Sequence, residues 1–541
     1  MLPVSPRETA ELDRLSSFAP PSVLPDISPT RGEIALSSPP SPISDVEGGK
    51  PATKLLISPQ VGEMSGRTEG GAAGRQPSRL ALVAAFTLLL PIPALAHASD
   101  RGHVLLLPTG YYIAGGAFAV AVSFLVLVLL PPAALDNFWR RRFSLFTFGD
   151  APRTIVSLLS FAGFAVLVAA GIFGSRDPLS NPLPLVIWTL LWAGFTLLQG
   201  VFGDLWSWLN PWYGPWRVVS LLVGKSGSET PQRLPSRLGL WPAFALFLAF
   251  AWFELIDPAP DDPSRLALAA GLYWLFSAVA MLAFGYEDWS RRGEFLTIFF
   301  SMVARFAPFQ REQGRLGLGW PGSKLLAASS LPASGTAFLL LALSSVSFDG
   351  LSKTFFWLGL FGINPLEFPG RTALIGSGSF GLVLTFVLLA AIFALAVFLG
   401  QRLAGGGHSF GEASGLLVWS IVPIALAYHI AHYLAALLVG GQYALAALSD
   451  PFALGWDLFG TADMVVEAGV VAGAGSAWWL WNCQAGVIIA GHVLAVLIAH
   501  GLAWRLHPQP SRAALSQLPL TFLMIAYTIF GLWLLATPTA G

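Results

Sequence analysis

The chain has 541 residues, of which 55% are hydrophobic and 11% are charged, and its formal net charge is zero. This composition is too apolar for a soluble globular protein, and the zero net charge gives no bulk attraction to nucleic acid. The single cysteine excludes an intrachain disulfide and a cysteine-rich metal centre. Apolar runs of about twenty residues recur without alternation, so they predict an all-α, polytopic transmembrane helix bundle in a lipid bilayer.

The N-terminal part differs from the rest. Residues 1–74 are rich in Pro, Ser, Gly and charge, which predicts a disordered extension. Residues 75–96 run from basic to apolar to small residues ending at Ala96, an order typical of a secretory signal peptide. Because signal peptides normally begin a protein, we expect translation to start at Met64; the alternative is a genuine tail before an uncleaved helix. Residues 97–541 are the expected transmembrane helical domain.

Ten apolar segments are long enough to cross a bilayer as helices. They are 110–132, 154–174, 184–203, 238–256, 266–285, 334–349, 372–400, 413–439, 478–504 and 518–537. The weakest is 334–349, whose serines and short length also fit half a helix. The segment 295–309 is shorter still and contains Arg305, so we expect an interfacial or re-entrant helix there.

Basic residues cluster in alternate connections, and the positive-inside rule places those connections in the cytoplasm. They are Arg140, Arg141, Arg142, Arg217, Lys225, Arg233, Arg237, Arg291, Arg292, Arg305, Arg311, Arg315, Lys324, Arg402, Arg505 and Arg512. The mature N- and C-termini are then expected outside the cytoplasm. Glu254 and Asp257 end the fourth span on that outer side, where we expect them to be solvated.

Two apolar spans near the C-terminus carry histidines. His429 and His432 lie three residues apart, on one face of a helix, at depths of about 15 and 10 Å below the outer end of their span. His492, in the next span, lies at about 20 Å, and His500 lies about two turns deeper. Because ionisable groups are costly in hydrocarbon, such a set is a functional-site hypothesis.

Imidazole nitrogens are common ligands for zinc, copper and haem iron. His429, His432 and His492, with His500 as a more distant fourth, are therefore candidate ligands for a divalent metal or haem. A bound metal would activate water near neutral pH. The outer loop adds carboxylates that would orient this water or the histidines as catalytic groups: Asp450, Asp457 and Asp463. The alternatives are interhelical hydrogen bonds without catalysis and a proton relay.

Several segments resemble a family of bacterial membrane proteins named fenitrothion hydrolases. The matching pieces are Leu107–Gly116 (LPTGYYIAGG), Phe202–Trp212 (FGDLWSWLNPW), Phe284–Gly293 (FGYEDWSRRG), His432–Leu437 (HYLAAL) and Ser449–Asp463 (SDPFALGWDLFGTAD). The resemblance implies a polytopic protein of the bacterial inner membrane that has a signal peptide and hydrolyses organophosphate esters, with a second membrane subunit as an expected partner. It assigns no catalytic residues.

Three functions are therefore open. The first is a metal-assisted phosphotriester hydrolase, in which a histidine-bound metal activates water. The second is a transporter or metal-handling permease that uses the same residues as a transit site; transporters commonly contain broken helices at mid-membrane. The third is a membrane scaffold or assembly factor.

Overall fold

The computed structural model describes residues 109–130, 139, 141–147, 152–222, 233–312, 315–367, 370–471 and 474–539. The predicted disordered extension, the signal peptide and Met64 lie outside these residues, as do the expected cytoplasmic residues Arg140 and Lys225. Within the described part the fold is predominantly helical, as the apolar runs predict.

Ten helices occupy the ten predicted spans. They are α1 (Thr109–Leu129), α2 (Arg153–Phe173), α3 (Pro182–Phe202), α4 (Trp241–Leu255), α5 (Pro263–Phe284), α6 (Ala333–Ser352), α7 (Arg371–Leu403), α8 (Phe410–Ser449), α9 (Ala474–Leu506) and α10 (Pro510–Ala536). Among the described residues, nine of them are long and apolar enough to cross a membrane, and the shorter α4 has 15 residues. The protein is thus a multi-pass membrane protein.

Short elements fill the connections between these helices. The helical ones are Trp206–Leu209, Tyr213–Leu222, Ser236–Leu238, Tyr286–Arg292, Phe295–Ala304, Ser323–Leu326, Phe355–Leu360, Pro365–Glu367 and Ala468–Val470. Phe295–Ala304 corresponds to the expected short helix, and Glu294 caps its first turn by accepting hydrogen bonds from the amides of Leu296 and Thr297. Segment 334–349 forms the full helix α6 rather than half of one.

A three-stranded antiparallel sheet joins two of the basic connections, and an all-α prediction does not include it. Its strands are β1 (Arg142–Thr147), β2 (Phe309–Glu312) and β3 (Arg315–Gly319), in the order β1-β3-β2. Arg142 pairs with Gly319, and Phe309 pairs with Leu318. The sheet therefore ties the connection after α1 to the connection before α6.

Two of the long helices are not regular α-helices throughout. The segment Leu185–Phe195 of α3 is a π-helix of 11 residues, and α8 is a 3₁₀-helix over Val418–Ile421. π-helical segments inside α-helices are rare and often mark functional sites. The helix Phe295–Ala304 packs against both α3 and α8, and its Phe299 ring lies 5.0 Å from the ring of Trp192 in the π-helix.

Helix α6 lies at the centre of the bundle, with 72% of its apolar window buried, the largest share among the nine candidate spans. It packs against α4, α7 and α8, and α8 packs in turn against α3 and α9. Small residues allow close approach of backbones between membrane helices: a Cβ at Gly400 of α7 would clash with the carbonyl oxygen of Ser516, and one at Gly531 would clash with Tyr428. The polar groups carried by α4, α6 and α8 are therefore brought within contact distance.

Candidate functional site

Asp349 on α6 contacts two basic side chains, Lys353 and His432, and the contact with His432 links α6 to α8. The carboxylate of Asp349, three residues before the end of α6, lies 2.7 Å from Lys353 Nζ through Oδ1 and 2.5 Å from His432 Nε2 through Oδ2. The Asp349 side chain is only 6% exposed and that of His432 is 14% exposed. A buried carboxylate needs such partners because desolvation of a lone charge is very costly. Both carboxylate oxygens are occupied, so the group is fixed in place.

A second acid lies beside this ion pair. Glu254, the penultimate residue of α4, accepts a hydrogen bond of 2.6 Å from the hydroxyl of Tyr433 on α8. The indole N–H of Trp192 donates to the same hydroxyl at 3.2 Å. The charges of Asp349 and Lys353 also act on Glu254. We refer to Glu254, Asp349, Lys353, His432 and Tyr433 as the ionisable cluster.

His429 lies next to the ionisable cluster and contacts the π-helix of α3. Its Nε2 is 2.8 Å from the carbonyl oxygen of Trp192, and its ring lies 5.4 Å from the Trp192 ring and 4.7 Å from that of Tyr433. A carbonyl oxygen only accepts, so Nε2 must carry a proton and Nδ1 is the nitrogen that can take one up. The hydroxyl of Thr196 donates to the same carbonyl at 2.5 Å.

A small cavity of about 30 Å³ lies between these elements. The π-helix, the short helix Phe295–Ala304, α4, α6 and α8 all contribute to its wall, which includes Trp192, Glu254, Phe299, Ser345, His429 and Tyr433. This volume accommodates about one or two water molecules. The cavity wall therefore combines one acid, an imidazole and a tyrosine hydroxyl around a space that holds one or two waters.

The histidines of α9 contact different groups. His492 Nδ1 donates to the carbonyl of Ile488, one turn earlier, at 2.8 Å, and its buried Nε2 has no hydrogen-bond partner among the described residues. His500 Nδ1 donates to the side-chain oxygen of Gln517 on α10 at 2.6 Å. The ring of His492 faces Tyr428 and Tyr527, with centroids 6.0 and 6.3 Å apart.

The four histidines therefore do not face one another, contrary to the expectation drawn from their depths. His429 faces α3, His432 faces α6, His492 contacts its own helix, and His500 faces α10. Within the described ranges, no three His, Cys, Asp or Glu side chains form a group that could hold a metal ion. As placed, these side chains do not fit a three-histidine zinc, copper or haem site, and ligation by them stays a prediction.

The first of the three loop carboxylates predicted to be catalytic lies far from the histidines of α8. Asp450 follows α8, and the 18 residues from His432 to Asp450 correspond to about 27 Å along a helix axis. Asp450 accepts hydrogen bonds from the amides of Leu454 and Gly455 at 2.9 and 2.7 Å. These contacts hold the backbone of the loop.

The other two predicted catalytic groups lie in the same loop. Asp457 accepts from the amide of Ala462 at 3.0 Å and from the hydroxyl of Ser449 at 2.8 Å. These hydrogen bonds, led by that of Ala462, lower the pKa of Asp457 below its usual value. Asp463 is exposed. The geometry assigns Asp457 to loop stability, and a catalytic role for it or for Asp463 stays a prediction.

The expectation that Glu254 and Asp257 are solvated is wrong. Glu254 is hydrogen-bonded to Tyr433 in the bundle, and Asp257 is 2% exposed and forms an ion pair of 2.6 Å with Arg265. Asp349 also escaped sequence reasoning, although an acid inside an apolar helix is the signal that marks an intramembrane site. The same signal, used for the histidines, would have identified Asp349 and Glu254.

No protein-family model matches the chain, and no curated protein is similar to it.

Proposed function

We propose that the protein is a proton-coupled transporter whose ionisable cluster takes up and releases the coupled proton. The observation that carries this proposal is the contact between the buried Asp349 and the half-buried His432, with Glu254 hydrogen-bonded to Tyr433 beside the π-helix of α3. Ionisable residues inside a membrane bundle mark substrate or proton pathways. The transported solute is a small molecule or ion whose identity the residues do not specify.

The irregular hydrogen bonding of α3 supports this proposal. Secondary transporters form their sites from discontinuous helices whose freed backbone groups line a cavity. Here the π-helix of α3 presents the Trp192 carbonyl to His429, and the short helix Phe295–Ala304 contributes Phe299 to the cavity wall. A water-sized cavity with these groups suits an occluded state between two accessible states.

The hydrogen-bond chain supports a route for protons. Tyr433 joins Glu254 to Trp192 and packs against both His429 and His432. A water in the adjoining cavity can complete a path between the Glu254 carboxylate and His429, because such a site offers the polar partners that a buried water needs. His432 in turn contacts the carboxylate of Asp349.

Alternating access can be tested without knowing the solute. Cys483 is the single cysteine, so a Cys483→Ser background allows Ser345→Cys, in the cavity wall, to be probed alone. We expect a membrane-impermeant maleimide to label Ser345→Cys in both right-side-out and inside-out vesicles, because each state opens the cavity to one side. Ser344→Cys is the matched control, since Ser344 is fully buried and does not line the cavity.

Labelling of Ser345→Cys from one side only, or from neither, would contradict a transporter. Labelling of Ser344→Cys at the same rate would show general loosening of α6 rather than a pathway. Divalent cations and lipophilic organophosphates are then added one at a time to proteoliposomes that contain a trapped pH dye. A compound that causes a proton flux is identified as the solute. The proton flux should be lost in Glu254→Gln and kept in Glu287→Gln, which alters an exposed acid.

Hydrolysis of an organophosphate ester, implied by the family resemblance, is the second candidate. The contact between Asp349 and His432 favours it, because a carboxylate that orients an imidazole is the arrangement of a general base. The cavity of about 30 Å³ is too small for a phosphotriester in this conformation. Release of nitrophenol from a phosphotriester by the purified protein, abolished in His432→Ala and insensitive to Cys483→Ser, would favour the enzyme. Metal analysis of the same preparations tests ligation.

We further propose a bacterial inner-membrane location with the basic connections in the cytoplasm and both mature termini outside. Contacts that join these connections at one end of the bundle support this orientation. Arg292 donates to the Leu234 carbonyl at 2.6 Å, and Arg505 donates to that of Leu326 at 2.6 Å. A periplasm-dependent reporter fused after Gly541 should be active, and a reporter active only in the cytoplasm would reverse the orientation. A second membrane subunit stays a prediction.

A further inference from the structure

A groove of about 470 Å³ opens beside the last turn of α7, far from the ionisable cluster. Its wall includes Phe398, Gln401, Arg402, Gly405, His408 and Phe410. The loop after α7 contains three successive glycines with positive φ, namely 83°, 75° and 117° at Gly405, Gly406 and Gly407. Because side chains rarely adopt such φ values, this glycine run has a specific conformation and is more than a flexible linker.

The polar lining of the groove contains a side chain without a partner. Gln401 is 8% exposed, and neither its Nε2 nor its Oε1 has a hydrogen-bond partner among the described residues. Buried amides are almost always hydrogen-bonded, so an unpaired one that lines a groove indicates a missing ligand or water. An amide offers two N–H donors, which suit the oxygen atoms of an anion.

Basic side chains lie in and beside the groove. Arg402 is exposed within it, and the His408 ring lies 5.7 Å from that of His507. Burial, followed by the charges of His408 and Arg512, lowers the pKa of His507, which means that basic groups crowd this end of the bundle. One acid opposes them: the Glu412 carboxylate lies 3.2 Å from His408 Nδ1.

The apolar part of the groove wall faces outward. Phe398 and Phe410 are 45% and 48% exposed, and the neighbouring Leu403 is 52% exposed. The Arg402 guanidinium lies 5.1 Å from the centroid of the Phe398 ring. A phosphate bound at Arg402 would therefore have apolar side chains directly beside it, on a helix that spans the membrane. This juxtaposition is the pattern of a lipid headgroup site, since a free phosphate ion gains nothing from the phenyl rings.

We infer that this groove binds the phosphate group of an anionic phospholipid, with Arg402 and the Gln401 amide on the phosphate oxygens and the acyl chains along Phe398 and Phe410. The site is separate from the proposed transport pathway and does not depend on it. An anionic lipid is favoured over a zwitterionic one because the guanidinium groups of Arg402 and Arg512 lie at this end of the bundle, where the Glu412 carboxylate is engaged by His408.

Native mass spectrometry of the full-length protein, titrated with phosphatidylglycerol and with phosphatidylcholine, tests this inference. We expect phosphatidylglycerol to bind more tightly, and Arg402→Gln to weaken it about fivefold. Arg402→Lys should retain most of the affinity because it keeps the charge. Gln401→Leu, which keeps the volume and removes the amide, should also weaken binding. Arg291→Gln is the matched control, since Arg291 is 77% exposed, forms an ion pair with Glu287 and does not line the groove.

Three results would overturn the inference. Equal affinity for the two lipids would show that the site does not select an anionic headgroup. Unchanged binding by both Arg402→Gln and Gln401→Leu would show that the lipid does not bind in this groove. Displacement of phosphatidylglycerol by millimolar inorganic phosphate, with direct binding of phosphate alone, would show that the site takes a free anion. If Arg402→Gln does not fold, Gln401→Leu and Arg402→Lys decide, because they preserve the charge of the groove.

Discussion

Helices α8 and α9 are neighbours that each carry two histidines, yet the two pairs are held by different chemistry. On α8, His429 and His432 contact a π-helical carbonyl and a carboxylate of other helices. On α9, His492 contacts a carbonyl of its own helix, and His500 contacts a neutral amide. The difference teaches that the partner group, more than the presence of an imidazole in the membrane, determines the environment of each histidine.

If the α8 histidines belong to an ionised site, removing the carboxylate of Asp349 on α6, which contacts His432, should have the largest effect. Asp349→Ala leaves Lys353 and His432 without their counterion, so we expect a loss of about 3 kcal/mol in the free energy of unfolding. Unfolding by SDS in mixed micelles measures it. The exposed Asp463→Ala is the control and should change stability by less than about 0.5 kcal/mol. Equal effects of the two substitutions on the free energy of unfolding would show that the Asp349 carboxylate does not stabilise the fold more than an exposed one.

Tyr433→Phe should have the next largest effect. It removes the hydroxyl that donates to Glu254 and accepts from Trp192, and hydrogen bonds to charged groups contribute about 1.5–3 kcal/mol. The same unfolding measurement applies. Since the ring is retained, a change as small as that of a surface substitution would mean that Glu254 carries no charge that needs this hydroxyl.

His500→Leu on α9 should be milder. It leaves the buried Oε1 of Gln517 without a donor, which costs about 1–2 kcal/mol. The double variant with Gln517→Leu removes both polar partners and should recover much of that loss. A double variant as unstable as the sum of the single changes would show that the two residues are not coupled.

His492→Leu should be nearly neutral, within about 0.6 kcal/mol. The Ile488 carbonyl that His492 contacts lies within the continuous helix α9, and the buried Nε2 has no hydrogen-bond partner among the described residues. A large loss of stability would contradict this expectation. Loss of transport with stability unchanged would show that His492 has a functional role.

The loop between the two helices should show the smallest effect, and only in acid. The pKa of Asp457 lies below the ordinary value of 3.8, so its stabilising contribution is complete above 3.8 and is lost as the pH falls through the lower native value. A spin label on Val465→Cys, at an 88% exposed position, in the Cys483→Ser background should become more mobile only in that range. With Asp457→Asn the label should be equally mobile at neutral and acidic pH.

Sequence reasoning located the helices better than it located the site. Hydropathy and length identified all ten helices because a bilayer-crossing helix must be apolar over its whole length. The spacing of the histidines along each helix also followed from the helical rise. The rotation of each helix about its axis did not, because it depends on packing against neighbouring helices, and this rotation directs His429 to Trp192 and His492 away from it.

The irregular features were beyond sequence patterns for a different reason. The π-helix Leu185–Phe195 has the same apolar composition as an α-helix, so its widened hydrogen bonding leaves no compositional trace. The sheet of β1 to β3 joins segments about 170 residues apart in the chain, which no local pattern reveals. The short helix Phe295–Ala304 was predicted, since its length and Arg305 excluded a full span.

The π-helix also makes α3 unusually sensitive to chain length. An i→i+5 turn contains one more residue than an α-helical turn, so a single-residue deletion within Leu185–Phe195 can convert the widened segment to a regular α-helix. The part of α3 on one side of the deletion would then rotate relative to the other by about 100°. Trp192 would turn away from His429 although every side chain of the site is retained. Deletions and insertions in this segment are therefore more disruptive than substitutions, because they would separate Trp192 from His429.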